Sequence, residues 1–251
     1  MGQKFIPWSN FPFRKNNFVL RNLFHGVKNI KKTTLLLFAA ATIFFFTPLS
    51  AKAFTLNLVS DIHAGNSDNC GDFKCVPRWR EAFQEFLDET EGLIVTVGDN
   101  TDMTSKTYAT ELRQMAEGRE IYWANGNHDK KVYVGGSKHY VIDEDDWRIV
   151  LIDYKNCGKK DVNWLKKTLK NYKTAKVAAV LHYPVFKRET AKIQKDCKKI
   201  EKVFRDYSVD YVFSGHWHGD EWTRTYNGVS YRAIKGLTNG FATNYLSLEL
   251  E

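Results

Sequence analysis

Five short segments of this 251-residue chain set carboxylate, amide and imidazole side chains directly after apolar, β-branched runs. They are Asp61-Ile62-His63, Gly98-Asp99-Asn100, Gly126-Asn127-His128-Asp129, His182 and Gly215-His216-Trp217-His218. Five of the chain's seven histidines fall in these positions. A lone histidine after a strand is ordinarily a hydrogen-bonded loop residue, whereas five at the ends of successive strands read as one constellation. Oxygen and imidazole donors without thiolate suit Mn, Fe, Zn or Co rather than copper(I) or an iron–sulfur cluster. Seven donors stand out: Asp61, His63, Asp99, Asn127, His182, His216 and His218. They exceed what one tetrahedral ion accepts but fit two divalent ions if one carboxylate bridges. Ions about 3.5–4 Å apart clamp both oxygens of an in-line displacement at phosphorus.

A layered α/β scaffold must position these groups. Apolar runs at residues 54–59, 93–97, 121–124, 148–152, 176–181 and 209–213 predict strands. Between them, 77–90, 108–117, 161–172 and 190–207 carry helical spacing, with Trp79, Phe83, Phe86 and Leu87 on one face of the first. Alternating strands and helices imply an α/β domain, whose chemistry sits beyond the carboxyl ends of its strands. Asn227-Gly228 between EWTRTY and VSYRAI signals a hairpin with a type I′ turn. A last strand is expected at 245–251. No repeat or second domain is visible, so 54–251 reads as a single domain.

The formal charge of +8 is unevenly placed. Residues 1–53 hold eight Lys and Arg and no acid, and removing these eight from the 37 cations leaves 29 against 29 acids. A neutral body argues against nucleic acid as a partner. The leader has lysines at 28, 31 and 32, an apolar run from Thr33 to Thr47, and Ala51-Lys52-Ala53. That order is a secretory signal cleaved after Ala53, giving a periplasmic or extracellular protein that meets the membrane only in transit. An uncleaved signal anchor, tethering the protein to the membrane, is the alternative. Cys70, Cys75, Cys157 and Cys197 suit two disulfides in an exported domain, with Cys70–Cys75 and Cys157–Cys197 the expected pairs.

The order DxH, GD, GNHD, H and GHxH resembles the calcineurin-like metallophosphoesterase superfamily from Phe54 nearly to the chain's end. The stretch from Asp153 through Trp164-Leu165 also resembles its cyclic-nucleotide phosphodiesterase-like bacterial branch. The resemblance implies a layered αββα sandwich and two metal sites. Asp61, His63 and His218 would hold one ion and Asn127, His182 and His216 the other, with Asp99 bridging. It further implies a metal-bridging hydroxide as nucleophile. His128 would protonate the leaving oxygen, with Asp129 orienting its ring. In the purple acid phosphatase branch a tyrosine stands three residues after the bridging aspartate and a glycine at the position of His63. Here those residues are Asp102 and His63, so no iron(III)–phenolate chromophore is expected, and Asp102 reads as a loop cap.

These features predict an exported phosphoesterase acting on phosphomonoesters or phosphodiesters of small molecules. The alternative is a metal-stabilised scaffold without catalysis, which would be free to lose His128 or a ligand. A nuclease is disfavoured by the neutral body. Substrate choice would lie in loops 64–78 and 130–140. His139 reads as a surface residue, Asp143 to Asp146 as a solvated turn, and the lysines of 190–207 as a solvated helix face.

Overall fold

Strands with apolar residues on both faces must be covered on both sides. The computed structural model describes residues 53–65, 78–102, 106–129, 132, 134–154, 157–170, 172, 176–219, 221–237 and 244–250. The leader, the Cys70–Cys75 pair and most of loop 64–78 lie outside them. One sheet runs β10 (Leu246–Leu250), β1 (Phe54–Val59), β2 (Leu93–Thr96), β3 (Ile121–Trp123), parallel except for β10. The other runs β4 (Tyr140–Glu144), β5 (Trp147–Ile152), β6 (Lys176–Leu181), β7 (Tyr211–Ser214), β9 (Val229–Ala233), β8 (Trp222–Tyr226). Its four inner strands are parallel and its two edge strands antiparallel to their neighbours.

Leu56, Leu58, Val95 and Val97 of the first sheet meet Ile149, Leu151, Ala178, Val180 and Phe213 of the second in a buried apolar inner layer. The alternate residues face outward. Val150, Ile152, Ala179 and Leu181 pack with Val162 and Leu165 of α3 (Lys159–Leu169) and Ile200, Val203 and Phe204 of α4 (Lys198–Asp206). Ile94 and Trp123 pack with Phe83 and Phe86 of α1 (Trp79–Glu89) and Leu112 of α2 (Lys106–Met115). The result is the expected αββα sandwich. Each fully buried large side chain contributes about 1.5–3 kcal/mol. Among the described residues, no helix is long and apolar enough to cross a membrane.

Two elements differ from the sequence reading. The acidic run is split: Asp143 and Glu144 belong to β4, and Asp145, with φ 47°, and Asp146 make the turn into β5. Arg148 of β5 donates two 2.7 Å bonds to Asp143, so a charged strand end is stabilised across the hairpin. The helix expected over 190–207 is confined to Lys198–Asp206 after a 3₁₀ turn at Lys195–Cys197. Ala191 has φ 50°, Ile193 bridges to Phe186, and Arg224 donates to the Ala191 carbonyl, so tertiary contacts override helical spacing there. The hairpin turn is as read, with Asn227 at φ 51° and Gly228 at φ 81°.

Cys157 and Cys197 form a disulfide joining the segment before α3 to the start of α4. It closes a loop of 40 residues, and Cys197 lies in the core beneath both helices. Replacing both cysteines by serine is expected to lower unfolding free energy by about 3–4 kcal/mol, measured by guanidinium denaturation. An unchanged midpoint would show that the bridge does not restrain the chain.

Candidate metal centre

The carboxyl ends of β1, β2 and β3 meet those of β6 and β7 where the two sheets come together. The backbone is kinked there: Asp61 (φ 53°), His63 (φ 50°), Asp99 (φ 51°), His216 (φ 72°) and His218 (φ 45°) all occupy the left-handed region. Each such residue costs about 1–2 kcal/mol, so neighbouring strands must hold it in place. Asp61 N donates to Gly98 O at 3.0 Å, His63 N to Asp99 O at 2.9 Å, and Gly236 N to His218 O at 2.7 Å. Gly126 permits a close approach, since a Cβ there would collide with the Asp99 backbone and carboxylate. Gly98, at φ 98°, turns the chain into Asp99.

Two donor groups result. In the first, His218 Nε2 lies 3.4 Å from Asp61 Oδ1 and 3.1 Å from His63 Nε2, which is 3.8 Å from Asp99 Oδ2. In the second, His182 Nε2 lies 3.1 Å from Asp99 Oδ2 and 3.1 Å from Asn127 Oδ1, with His216 completing the group. Asp99 therefore belongs to both. Its Oδ1 accepts the His128 amide at 2.8 Å, which leaves Oδ2 to face the two groups. All seven donors named from sequence are brought together.

The surroundings fit a cation. Asp61 is fully buried, and its Oδ2 accepts Ser60 Oγ at 2.5 Å and His216 N at 3.0 Å. Its Oδ1 has no hydrogen-bond partner. A buried carboxylate oxygen left bare costs several kcal/mol unless positive charge faces it. Burial, with His182 nearby, pushes His216 down to about 4, and burial also lowers His218, so both rings keep a lone pair to offer. Burial opposes a charge on His182, but Asp99 overcomes it and raises the ring to about 9. His182 Nδ1 faces the Val97 carbonyl at 3.0 Å, which turns Nε2 toward the site. Oxygen and imidazole donors in these two groups suit divalent metal ions.

His128 stands at the rim with its side chain 41% exposed, its ring 4.8 Å from that of His63. Its partner differs from the sequence reading. Asp129 is fully buried and faces the loop, accepting Asn100 N at 3.1 Å, Thr101 N at 2.9 Å and Gly126 N at 2.9 Å. It ties the Asp99 and Asn127 loops together without touching the His128 ring. Asp102 Oδ1 instead meets His128 Nδ1 at 2.5 Å, and this bond raises the imidazole above its ordinary value. The sequence hint was an acid three residues after Asp99. His139 also departs from expectation: it stacks on Trp164 at 4.4 Å and its Nδ1 accepts the Asp153 amide at 3.1 Å.

A calcineurin-like phosphoesterase family model matches residues 54–220. No curated protein matches the sequence. Among solved structures, a dimetal phosphatase from Danio rerio is similar at TM-score 0.64 and 13% identity, over 78% of this chain and 92% of that one. A purple acid phosphatase from yellow lupin seeds gives 0.59 and 13%, over 80% and 50%. GAP50, the anchor in the inner membrane complex of Plasmodium, gives 0.54 and 14%, over 79% and 81%. At these identities the likeness establishes the fold.

Ion uptake must displace the proton that Asp99 favours on His182, so affinity should rise with pH up to about 9. Mn²⁺ at a hundredfold excess over its dissociation constant is expected to stabilise the protein by about 2.7 kcal/mol in thermal melts. The gain should shrink from pH 8 to pH 6 and vanish in Asp61→Ala. A melt insensitive to Mn²⁺ and chelator would exclude the site as an ion site.

Proposed function

This chain belongs to the calcineurin-like phosphoesterase family, and on that premise we propose that it is an exported, two-metal phosphoesterase of small phosphomonoesters or phosphodiesters. The observation that carries the reading is Asp99 Oδ2 shared between two donor groups, with His128 beside them at the solvent rim. Divalent ions bound in those groups would supply Lewis-acid charge to the phosphoryl oxygens and acidify the attacking water. Asp61, His63 and His218 would hold the first ion, and Asn127, His182 and His216 the second.

The chain's own residues do the proton work. His128 Nδ1 is committed to Asp102, so Nε2 faces the substrate. The His128 amide is committed to Asp99 Oδ1, which fixes the ring's base relative to the shared carboxylate. In the cationic form Nε2–H donates its proton to the leaving oxygen as the ester P–O bond breaks, and solvent restores it through the exposed edge. Asp102 stabilises that cation. Burial raises the Asp102 carboxyl, but its bonds to His128 and His63 outweigh this and hold it below its ordinary value.

The Cys157–Cys197 bridge suits an oxidising compartment, which supports the export read from the leader. The balanced charge of residues 54–251 supports small substrates over polyanions.

His128→Ala is expected to retain its metals and lose about 10²–10⁴-fold in turnover of an ester with a poor leaving group. A 4-nitrophenyl ester, whose leaving group needs no proton, should lose far less. Asp102→Asn should cost about 10–100-fold. It should also move the alkaline limb of the rate profile to lower pH, because the bond that raises His128 is gone. Equal losses on both esters would remove His128 from the role of acid, and full metal loading without turnover would favour a scaffold.

A further inference from the structure

A cavity of about 920 Å³ is lined by residues that adjoin the metal centre in the chain and by none of its seven donors. Trp217, which lies between His216 and His218, and Gly219, which follows His218, line it. Lys235, next to the glycine that bonds the His218 carbonyl, also lines it. The cavity is therefore continuous in the chain with a ligand of the first metal group.

Its walls combine flat rings with cations. Trp217 and Trp222 lie 5.7 Å apart, tilted by 37°, and Phe186 stands edge-on to Trp222 at 6.0 Å. The Arg224 guanidinium sits 5.1 Å above the Phe186 ring and donates to the Ala191 carbonyl, so this cation is fixed in place. Among the described residues, Lys187, Arg188, Arg224 and Lys235 line the cavity together with one acid, Glu221. Glu221 is already bound by Arg232 at 2.7 Å. Residues 54–251 are neutral as a whole, so this concentration of positive charge is local. Rings of this kind stack on planar heterocycles and are indifferent to their edge pattern, while lysine and arginine recognise phosphate. A volume of this size holds a nucleotide.

We propose that this cavity is the leaving-group subsite and takes a linear nucleoside di- or triphosphate. The base lies against Trp217 and Trp222, and the phosphates between base and scissile bond meet Lys187, Arg224 and Lys235. The proposal rests on the phosphoesterase reading for its position beside the reacting phosphorus. Attack by water on the terminal phosphorus breaks the anhydride bond to the bridging oxygen, releasing phosphate that carries the water's oxygen. The shortened nucleotide is left in the cavity with the bridging oxygen on its own phosphate, a leaving group that, like 4-nitrophenolate, needs no proton from His128.

The test is calorimetric titration of the Mn-loaded full chain carrying His128→Ala with ADP, ribose 5-phosphate and inorganic phosphate. ADP is expected to bind at least about tenfold more tightly than ribose 5-phosphate, the margin that one stacked base supplies. Trp222→Leu should erase most of that margin. Lys187→Gln combined with Lys235→Gln, both away from the packed core, should lower the ratio of ADP to inorganic phosphate affinity by about tenfold or more. Equal affinities for ADP and ribose 5-phosphate, or a ratio unmoved by the lysine pair, would overturn the proposal. ADP binding with this margin in a protein whose wild type hydrolyses no ester would uphold the cavity and sink the phosphoesterase reading. Hydrolysis of simple esters without the margin would do the reverse.

Discussion

A fully buried carboxylate with one oxygen unsatisfied is the constraint on which the rest of this structure turns. Asp61 enters the seam between the sheets from β1, and its Oδ2 is held by Ser60 of its own strand and by the His216 amide of the opposite sheet. The bare Oδ1 points at His218 and lies near His63. Asp99 repeats the arrangement one strand over, with one oxygen bound to an amide and the other turned to His63 and His182. Removing two carboxylates from water is tolerable only if positive charge meets them. The raised His182 shows which way the field points, since Asp99 holds a proton there against full burial.

The fold supplies that constraint through its backbone. Five of the seven donors sit at positive φ, where side chains are rarely found, and each strained residue is bound to a neighbouring strand end. The Ser60–Gly236 bridge and the Leu237 amide on the Ser60 carbonyl link the two sheets at the same place. Apolar packing of Leu58 and Val97 against Ile149 and Val180 lies immediately behind. Local strain at the centre is thus carried by an apolar layer that has no chemical role. Asp129 belongs to this support, because three loop amides converge on its carboxylate and fix the Asp99 loop relative to Asn127.

Much of this was legible in the sequence because strand ends are local. The runs before Asp61, Asp99, Asn127, His182 and His216 mark the strands, and a strand's last residue fixes where the next side chains emerge. The face of α1 bearing Trp79, Phe83, Phe86 and Leu87 was legible for the same reason, since helical period decides it. What was not legible depends on pairs distant in sequence. Asp102 reaches His128 across 26 residues, and the neighbouring Asp129 was the nearer but wrong partner. The start of α4 was misjudged because Ala191 answers to Arg224 and Phe186, far along the chain. The aromatic and basic cavity draws on three separate segments, none of which carries a motif by itself.

In the proposed two-metal centre one carboxylate oxygen, Asp99 Oδ2, would serve two ions at once. Electron paramagnetic resonance of the Mn-loaded protein tests it directly, because two Mn²⁺ ions sharing an oxygen are magnetically coupled and isolated ions are not. A coupled dimanganese spectrum is expected in the wild type, collapsing to the six-line pattern of isolated Mn²⁺ in Asp99→Ala. A six-line spectrum from fully loaded wild-type protein would contradict it.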